Sequence, residues 1–204
     1  VDIINSQDFS RGLLRNEKRG APMLRVSWPV GPGQLDLYAI GFVPNIYPGA
    51  KLRERAGLPV KRQESFSNGA KRDDLASALR WSGYFGDIDL GISWFRGTGA
   101  NPRMRVQPDG SLMPDYSRIT QAGLDIQYLR GDSAFKGEVV HRSGQYNLSG
   151  VAKTSQAAVV GIEHNLYGVG GSERDLVLIA ELARDSRKAA AHSGFQNDLA
   201  VGAR

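Results

Sequence analysis

The residues best suited to acid–base or metal chemistry near neutral pH are the three histidines, His141, His164 and His192. Their spacing does not favour it. His141 and His164 fall in separate alternating segments and His192 in a polar loop, without the short ligand spacings of a zinc site. Satisfied or solvated imidazoles are the expectation. Asp87 and Asp89 lie two residues apart, so a strand would put both carboxylates on one face, as an acid pair or as two calcium ligands. Two acids on a wet face are the commoner outcome. Gly168-Val169-Gly170-Gly171 has the composition of a phosphate-cradling loop, yet Ser172–Asp175 lead into another alternating segment, whereas a dinucleotide loop opens a helix. Ser149-Gly150 and Ser193-Gly194 lack the Gly-x-Ser-x-Gly elbow. Cysteine is absent, which removes thiolate nucleophiles, thiolate zinc sites and disulfides. Only a serine–histidine pair brought together in space would remain for hydrolysis. The expectation is a protein that is not an enzyme and uses neither metal nor cofactor.

What the 204 residues do carry is alternation. Apolar and polar residues tend to alternate over 23–30, 35–43, 75–84, 87–95, 120–129, 134–142, 157–166, 176–183 and from 197 onward. In 87–95, Ile88, Leu90, Ile92 and Trp94 share one face, opposite Asp87, Asp89, Gly91 and Ser93. In 35–43 the phase slips: Leu35 and Leu37 share one face, Ile40 and Phe42 the other. A bulge near Ala39 would reconcile them, and so would a strand buried on both faces. One turn within 184–192 is the sole helical signal. No run of about 18 apolar residues exists, so a transmembrane helix is excluded.

The connections have a rhythm. Short turns at 31–33, 83–86, 131–133 and 168–174 alternate with long polar loops at about 44–73, 97–118, 143–153 and 184–195. The fold class expected is all-β: an up-and-down antiparallel meander of about nine strands. Transmembrane barrels of the bacterial outer membrane have this layout, with short turns on one side and long loops on the other. A soluble lipocalin-type barrel also alternates, with its apolar face inward. Three features favour the membrane layout. The segments are near the length that crosses a bilayer at a tilt. Trp28, Trp81, Trp94, Tyr84, Phe95 and Tyr128 sit near strand ends, where aromatic girdles lie. The polar faces carry both acids and bases, as a wet lumen does.

Two regions are therefore expected: an irregular, Arg-rich loop or constriction segment at 1–22 (Arg11, Arg15, Lys18, Arg19), and strands of an incomplete barrel at 23–204. The expected pore-lining residues are Arg25, Arg80, Asp87, Asp89, Asp125, Gln127, Lys136, Glu138, Arg142, Glu163 and Glu181. Opposed charges across a pore would tune which solutes pass. The same charges could instead pair across strands and hold the barrel shut. The net charge of +5 raises the question of nucleic acid. Its bases are spread through loops (Lys51, Arg53, Arg55, Lys61, Arg62, Lys71, Arg72) with no helical stripe and no interleaved aromatics, so no nucleic-acid partner is expected. Basic loops would suit anionic lipopolysaccharide.

The opening Val1-Asp2-Ile3-Ile4-Asn5-Ser6-Gln7-Asp8-Phe9 resembles an Asp–aliphatic–aliphatic–Asn–Pro–x–Asp–Phe segment of porin-like outer-membrane proteins of proteobacteria, with Ser6 in place of Pro. Asn165–Val169, Gly171-Ser172, Asp175-Leu176, Leu178–Glu181, Phe195–Leu199 and Val201–Arg204 are similar to later hairpins of that group, which has aromatics where Ala183 and Ala200 stand. The resemblance implies a β-barrel in the outer membrane of a Gram-negative bacterium, with an N-terminal segment folded against the pore. It implies no catalytic residue. The expected function is a passive channel for small polar solutes or ions, in contact with outer-membrane lipid and lipopolysaccharide, and open to homo-oligomerisation. The alternative is a soluble envelope barrel or sandwich that holds an apolar ligand inside. The chain starts without a basic, apolar leader and stops within an alternating run, so an internal piece of a longer protein is expected.

Overall fold

Apolar side chains at every second position can all leave one face of a pleated sheet, and this chain builds its sheet on that rule. A computed structural model describes residues 6–9, 17–47, 60–147, 149–191 and 196–204. The strands are β1 (Ser6–Asp8), β2 (Glu17–Arg19), β3 (Met23–Val30), β4 (Gly33–Gly41), β5 (Ser65–Ser67), β6 (Leu75–Phe85) and β7 (Ile88–Thr98). They continue with β8 (Arg103–Val106), β9 (Leu112–Arg130), β10 (Ser133–Ser143), β11 (Ser155–Leu166), β12 (Leu176–Asp185) and β13 (Asn197–Ala203). β1 and β2 pair with each other. The rest form an 11-stranded sheet with the path β3-β4-β6-β7-β9-β10-β11-β12-β13, and β5 and β8 attach to β9. Removing those two leaves an antiparallel meander of nine strands, as the alternation predicts. The path is open: the outer edges of β3 and β13 do not pair with each other among the described residues.

Two-residue connections join β3 to β4, β6 to β7 and β9 to β10. Gly31, Gly86 and Gly131 hold positive φ there (59°, 61° and 54°), a conformation that suits glycine because it has no Cβ. At the opposite end the loops are long. The 44–73 loop contains β5, and the 97–118 loop contains β8 and the start of β9. The segment read as irregular at 1–22 contains the β1–β2 ladder instead. Within 184–192, Lys188–Ala190 form a short 3-10 turn. Arg11, Arg15, Lys51, Arg53, Arg55, His192 and the Ser193-Gly194 pair lie outside the described residues.

The phase slip in β4 is not a bulge. β4 keeps step with β3 and with β6 from Gly33 to Gly41. Ile40 points to the face opposite Leu35 and Leu37 because that face has its own small core near the long loops. Ile40, Ala76, Ala78, Phe95 and Ile119 are buried together there, with Ala21 and Tyr38 packed against them. Phe95, expected among the strand-end aromatics, belongs to this core.

The long loops pack into a cap anchored on β9. That strand is 19 residues long. Its pairing with β7 stops at Thr98–Arg118, and the residues before it bind β8 antiparallel and β5 parallel. Tyr116 sits at the cap's centre, 4.9 Å from the ring of Phe42 and 5.9 Å from that of Phe66. The fully buried Asp115 carboxylate accepts hydrogen bonds from Arg103 Nε (2.7 Å), Ser65 Oγ (2.8 Å) and Ser67 Oγ (3.2 Å). A buried charge is stable only when paired and hydrogen-bonded in this way. Phe95→Ala is expected to destabilise the protein by about 3–5 kcal/mol through loss of that inner core. Ile92→Ala, which alters a half-exposed side chain on the other face, is expected to change stability by less than about 1.5 kcal/mol. Denaturant melts followed by strand circular dichroism check the order; equal effects would contradict the assignment of faces.

Candidate functional site

In antiparallel strands, directly opposed residues share a face. The registers therefore give two complete faces. One is an apolar band. The row Val30, Gly33, Gly83, Leu90, Ile126, Gly137, Val160, Leu182, Leu199 crosses the whole path without a polar residue. These side chains are not a core: Ile92 is 51%, Val160 53%, Leu182 52% and Leu199 69% exposed, and Leu124, Ile126 and Leu178 are each above 40%. Rings gather on this face toward the short turns. Trp81 and Phe85 lie 6.1 Å apart and Tyr128 and Phe135 6.0 Å apart, with Trp28 beside them. Toward the long loops the face turns polar, with Arg96 opposite Thr120, His141 opposite Gln156 and Arg184 opposite Asn197.

The other face is charged and concave. Side chains from β6, β7, β9, β10, β11 and β12 line one groove of about 500 Å³. Arg80, Asp89, Asp125, Gln127, Lys136, Glu138 and Glu181 all lie in it. Arg25, Arg142 and Glu163 share the same face by register. Asp87 does not. β7 begins at Ile88, so Asp87 occupies the turn after Gly86, exposed, and its carbonyl accepts the Leu129 amide (2.9 Å).

Several of these charges are paired. Arg25 binds Asp36 through two hydrogen bonds, at 3.1 and 2.8 Å, and Asp36 also accepts from Ser27 (2.7 Å) and Gln34 (2.8 Å). Lys136 Nζ binds Glu163 Oε1 at 2.7 Å. Arg80 on β6 reaches over β7 to Asp125 on β9, with both guanidinium–carboxylate contacts at 2.8 Å. The strand between them supplies Gly91 at the crossing point. A Cβ there would lie 2.4 Å from Arg80 Nη2 and 2.4 Å from Asp125 Oδ2. Arg142 donates to Gln121 Oε1 (2.6 Å) and Gln145 Oε1 (2.8 Å). Asp36 and Gln121 are legible in hindsight, since they alternate with the apolar residues of their strands. Gln145 and Arg187, which complete the Arg142 cluster, lie in loops and carry no periodic signal.

At the long-loop end this face meets the cap across a second cleft of about 710 Å³, with Phe9, Asn45, Tyr47, Asn101 and Met104 forming the facing wall. The cleft and the groove share Val159 and Glu181, so one continuous depression runs along the charged face. Two cap carboxylates are held ionised. Burial pushes the Asp74 carboxyl up, but Thr98 Oγ1 (2.7 Å), Arg118 Nη2 (2.6 Å) and the Lys71 amide (3.0 Å) together hold it below the usual range. Asp109 accepts the Ser111 hydroxyl and amide and pairs with Lys61 at 3.1 Å, which lowers it to about 2.

For enzyme chemistry, one pair does form in space: Ser133 Oγ lies 2.8 Å from His164 Nδ1. They sit opposite each other at the β10–β11 hairpin on the apolar face, lining neither groove nor cleft. No carboxylate bonds to that histidine among the described residues, so the pair lacks the orienting group a triad needs. No group of three or more His, Cys, Asp or Glu that could hold a metal occurs among the described residues. Comparison with protein-family models, curated proteins and solved structures finds no match.

Two outcomes follow from these contacts. Arg80→Gln and Asp125→Asn are expected to be non-additive, with a coupling of about 0.5–1 kcal/mol, because the pair is partly solvated. Gly91→Ala should abolish that coupling; a double-mutant cycle in both backgrounds measures it. An Asp109 carboxyl lowered to about 2 contributes stability that is present above the ordinary carboxylate value and lost as pH falls toward about 2. Carbon-13 NMR titration of Asp109 checks this, and a midpoint near 4 would contradict it.

Proposed function

We propose that the sheet is wall of an outer-membrane β-barrel through which small polar solutes or ions diffuse passively, narrowed at the long-loop end by the cap. The observation that carries this reading is the opposition of the two faces. One side of the sheet is an exposed apolar band with aromatic rings toward the short turns, and the other side is charged. In water such a band is unfavourable, since each buried aliphatic side chain is worth about 1.5–3 kcal/mol relative to exposure. Soluble monomers rarely expose contiguous apolar patches larger than a few hundred Å². In lipid it is the expected exterior. Strand length agrees: β6, β7 and β10 have 11 residues each and β11 has 12, near the 9–11 that cross a bilayer at a tilt. The Gram-negative outer membrane, with its lipid and lipopolysaccharide, is supported by the layout of turns and loops and by the sequence resemblance.

A soluble barrel holding an apolar ligand would need Leu90, Ile92, Leu124, Ile126 and Leu178 around its interior. Here the grooved face of the sheet carries Arg80, Asp89, Asp125 and their neighbours instead, which weighs against it. The channel reading carries a requirement of its own. Backbone N–H and C=O groups in hydrocarbon must all be satisfied, so the outer edges of β3 and β13 must be paired, with each other or with further strands.

Cell fractionation and detergent dependence of the full-length protein test the location, and planar-bilayer conductance tests transport. A full-length protein that stays soluble without detergent would sink the reading. Ile92→Arg is expected to cost about 2–4 kcal/mol in lipid vesicles, as a cation at mid-membrane does. Ser93→Arg, one residue away on the charged face, is expected to fold normally and reduce conductance.

A further inference from the structure

Among the described residues, Arg142 sits in a cluster that carries more positive than negative charge. Its side chain is buried, and among the described residues its hydrogen bonds go to the neutral amide oxygens of Gln121 and Gln145. Among the described residues no carboxylate lies within ion-pair distance of it, and its Nη2 makes no hydrogen bond. Gln145 Oε1 also accepts from Arg187 Nη1 at 3.0 Å, so one amide oxygen holds two guanidinium groups together. Asp185 is committed to Arg187, at 3.0 Å to Nε and 2.6 Å to Nη2. Among the described residues, this group of two guanidiniums and one carboxylate keeps a net positive charge, and Asp185, which also attracts Arg142, is bonded to Arg187. Burying an ion in this state costs several kcal/mol unless a partner arrives.

The cluster opens on the 710 Å³ cleft, which is within the range of small-molecule sites. Two further acids, Asp198 and Glu181, line the same cleft without an ion pair to Arg142. Asp198 accepts the Gln196 and Asn197 amides, and Glu181 stands opposite Gly161, four residues along β11 from Ala157, the partner of Asp185. On the sheet the cleft runs from Ser155, the cross-strand partner of Arg142, onto the apolar pair Val140 and Ala157. Across it lie Met104 and the stacked rings of Phe9 and Tyr47, 5.7 Å apart and inclined by 14°.

We propose that this cleft binds a small organic monocarboxylic acid, its carboxylate on Arg142 and its apolar body between Val140 and the Phe9–Tyr47 wall. Arginine suits a carboxylate because its planar fork offers two parallel donors. The mixed lining favours an acid with a hydrocarbon or aromatic body over a bare inorganic anion. The inference does not rest on the channel reading: a chain that never conducts would still bind, and a channel with an inert cleft would still conduct.

Isothermal titration of the purified, folded chain with benzoate and with its neutral analogue benzyl alcohol decides the matter. Benzoate is expected to bind at least about tenfold more tightly, a difference of about 1.4 kcal/mol. Arg142→Gln is expected to remove that difference and Arg142→Lys to restore part of it. Equal binding of the two probes, no binding of benzoate, or an Arg142→Gln protein that still prefers benzoate would each overturn the proposal. Inorganic phosphate binding as tightly as benzoate would overturn the organic-acid assignment. If Arg142→Gln fails to fold by circular dichroism, the comparison of the probes on the unaltered protein stands alone.

Discussion

Everything in this molecule depends on an unbroken antiparallel register. A pleated strand sends successive side chains to opposite faces, so a slip of one residue between any two neighbours would exchange oil for charge from that point on. No slip occurs between β3 and β13. The row Ser27, Asp36, Arg80, Ser93, Gly123, Val140, Ala157, Asp185 stays on the charged face through eight strands, while the row Trp28, Leu35, Trp81, Ile92, Leu124, Val139, Ala158 beside it is apolar through seven. Ion pairs, groove and cleft all inherit their positions from this one agreement.

Small residues let the charged face be crowded. A Cβ on Gly123 would meet Ser93 Oγ at 2.7 Å, and one on Gly161 would meet Glu181 Cγ at 3.1 Å. Gly91 leaves the space through which Arg80 and Asp125 join across a strand. The space left at each is taken by a polar side chain from a neighbouring strand. On a curved sheet the concave side has less room than the convex side, so small residues there are a geometric need as well as a chemical one.

The wall was legible in the sequence because its signal is local. Period-two alternation located β3, β7 and β12 nearly to their ends, and glycine marked the tight turns. The faces of Arg25, Arg80, Asp89 and Asp125 followed from parity alone. Asp87 was misplaced because parity says nothing about where a hairpin turn stops. Phe95 was read as a rim aromatic because its burial comes from Ile119 and Ala76, distant in sequence. The cap was the least legible part. β5 and β8 are three and four residues long, and they exist because β9 runs past the sheet to meet them. The Arg142 cluster joins β9, β10 and two loops, and no spacing rule connects Gln121, Gln145 and Arg187.

β9 also ties two parts of the molecule into one mechanical unit. The same extended backbone carries Asp115 and Tyr116 in the cap and Asp125 in the wall, with no joint between them. A movement of the cap relative to the wall would have to bend that strand or break its ladder with β7. The described part of the cap is therefore tied to the sheet through one unbroken strand, and the two cannot shift independently without a change in β9 itself.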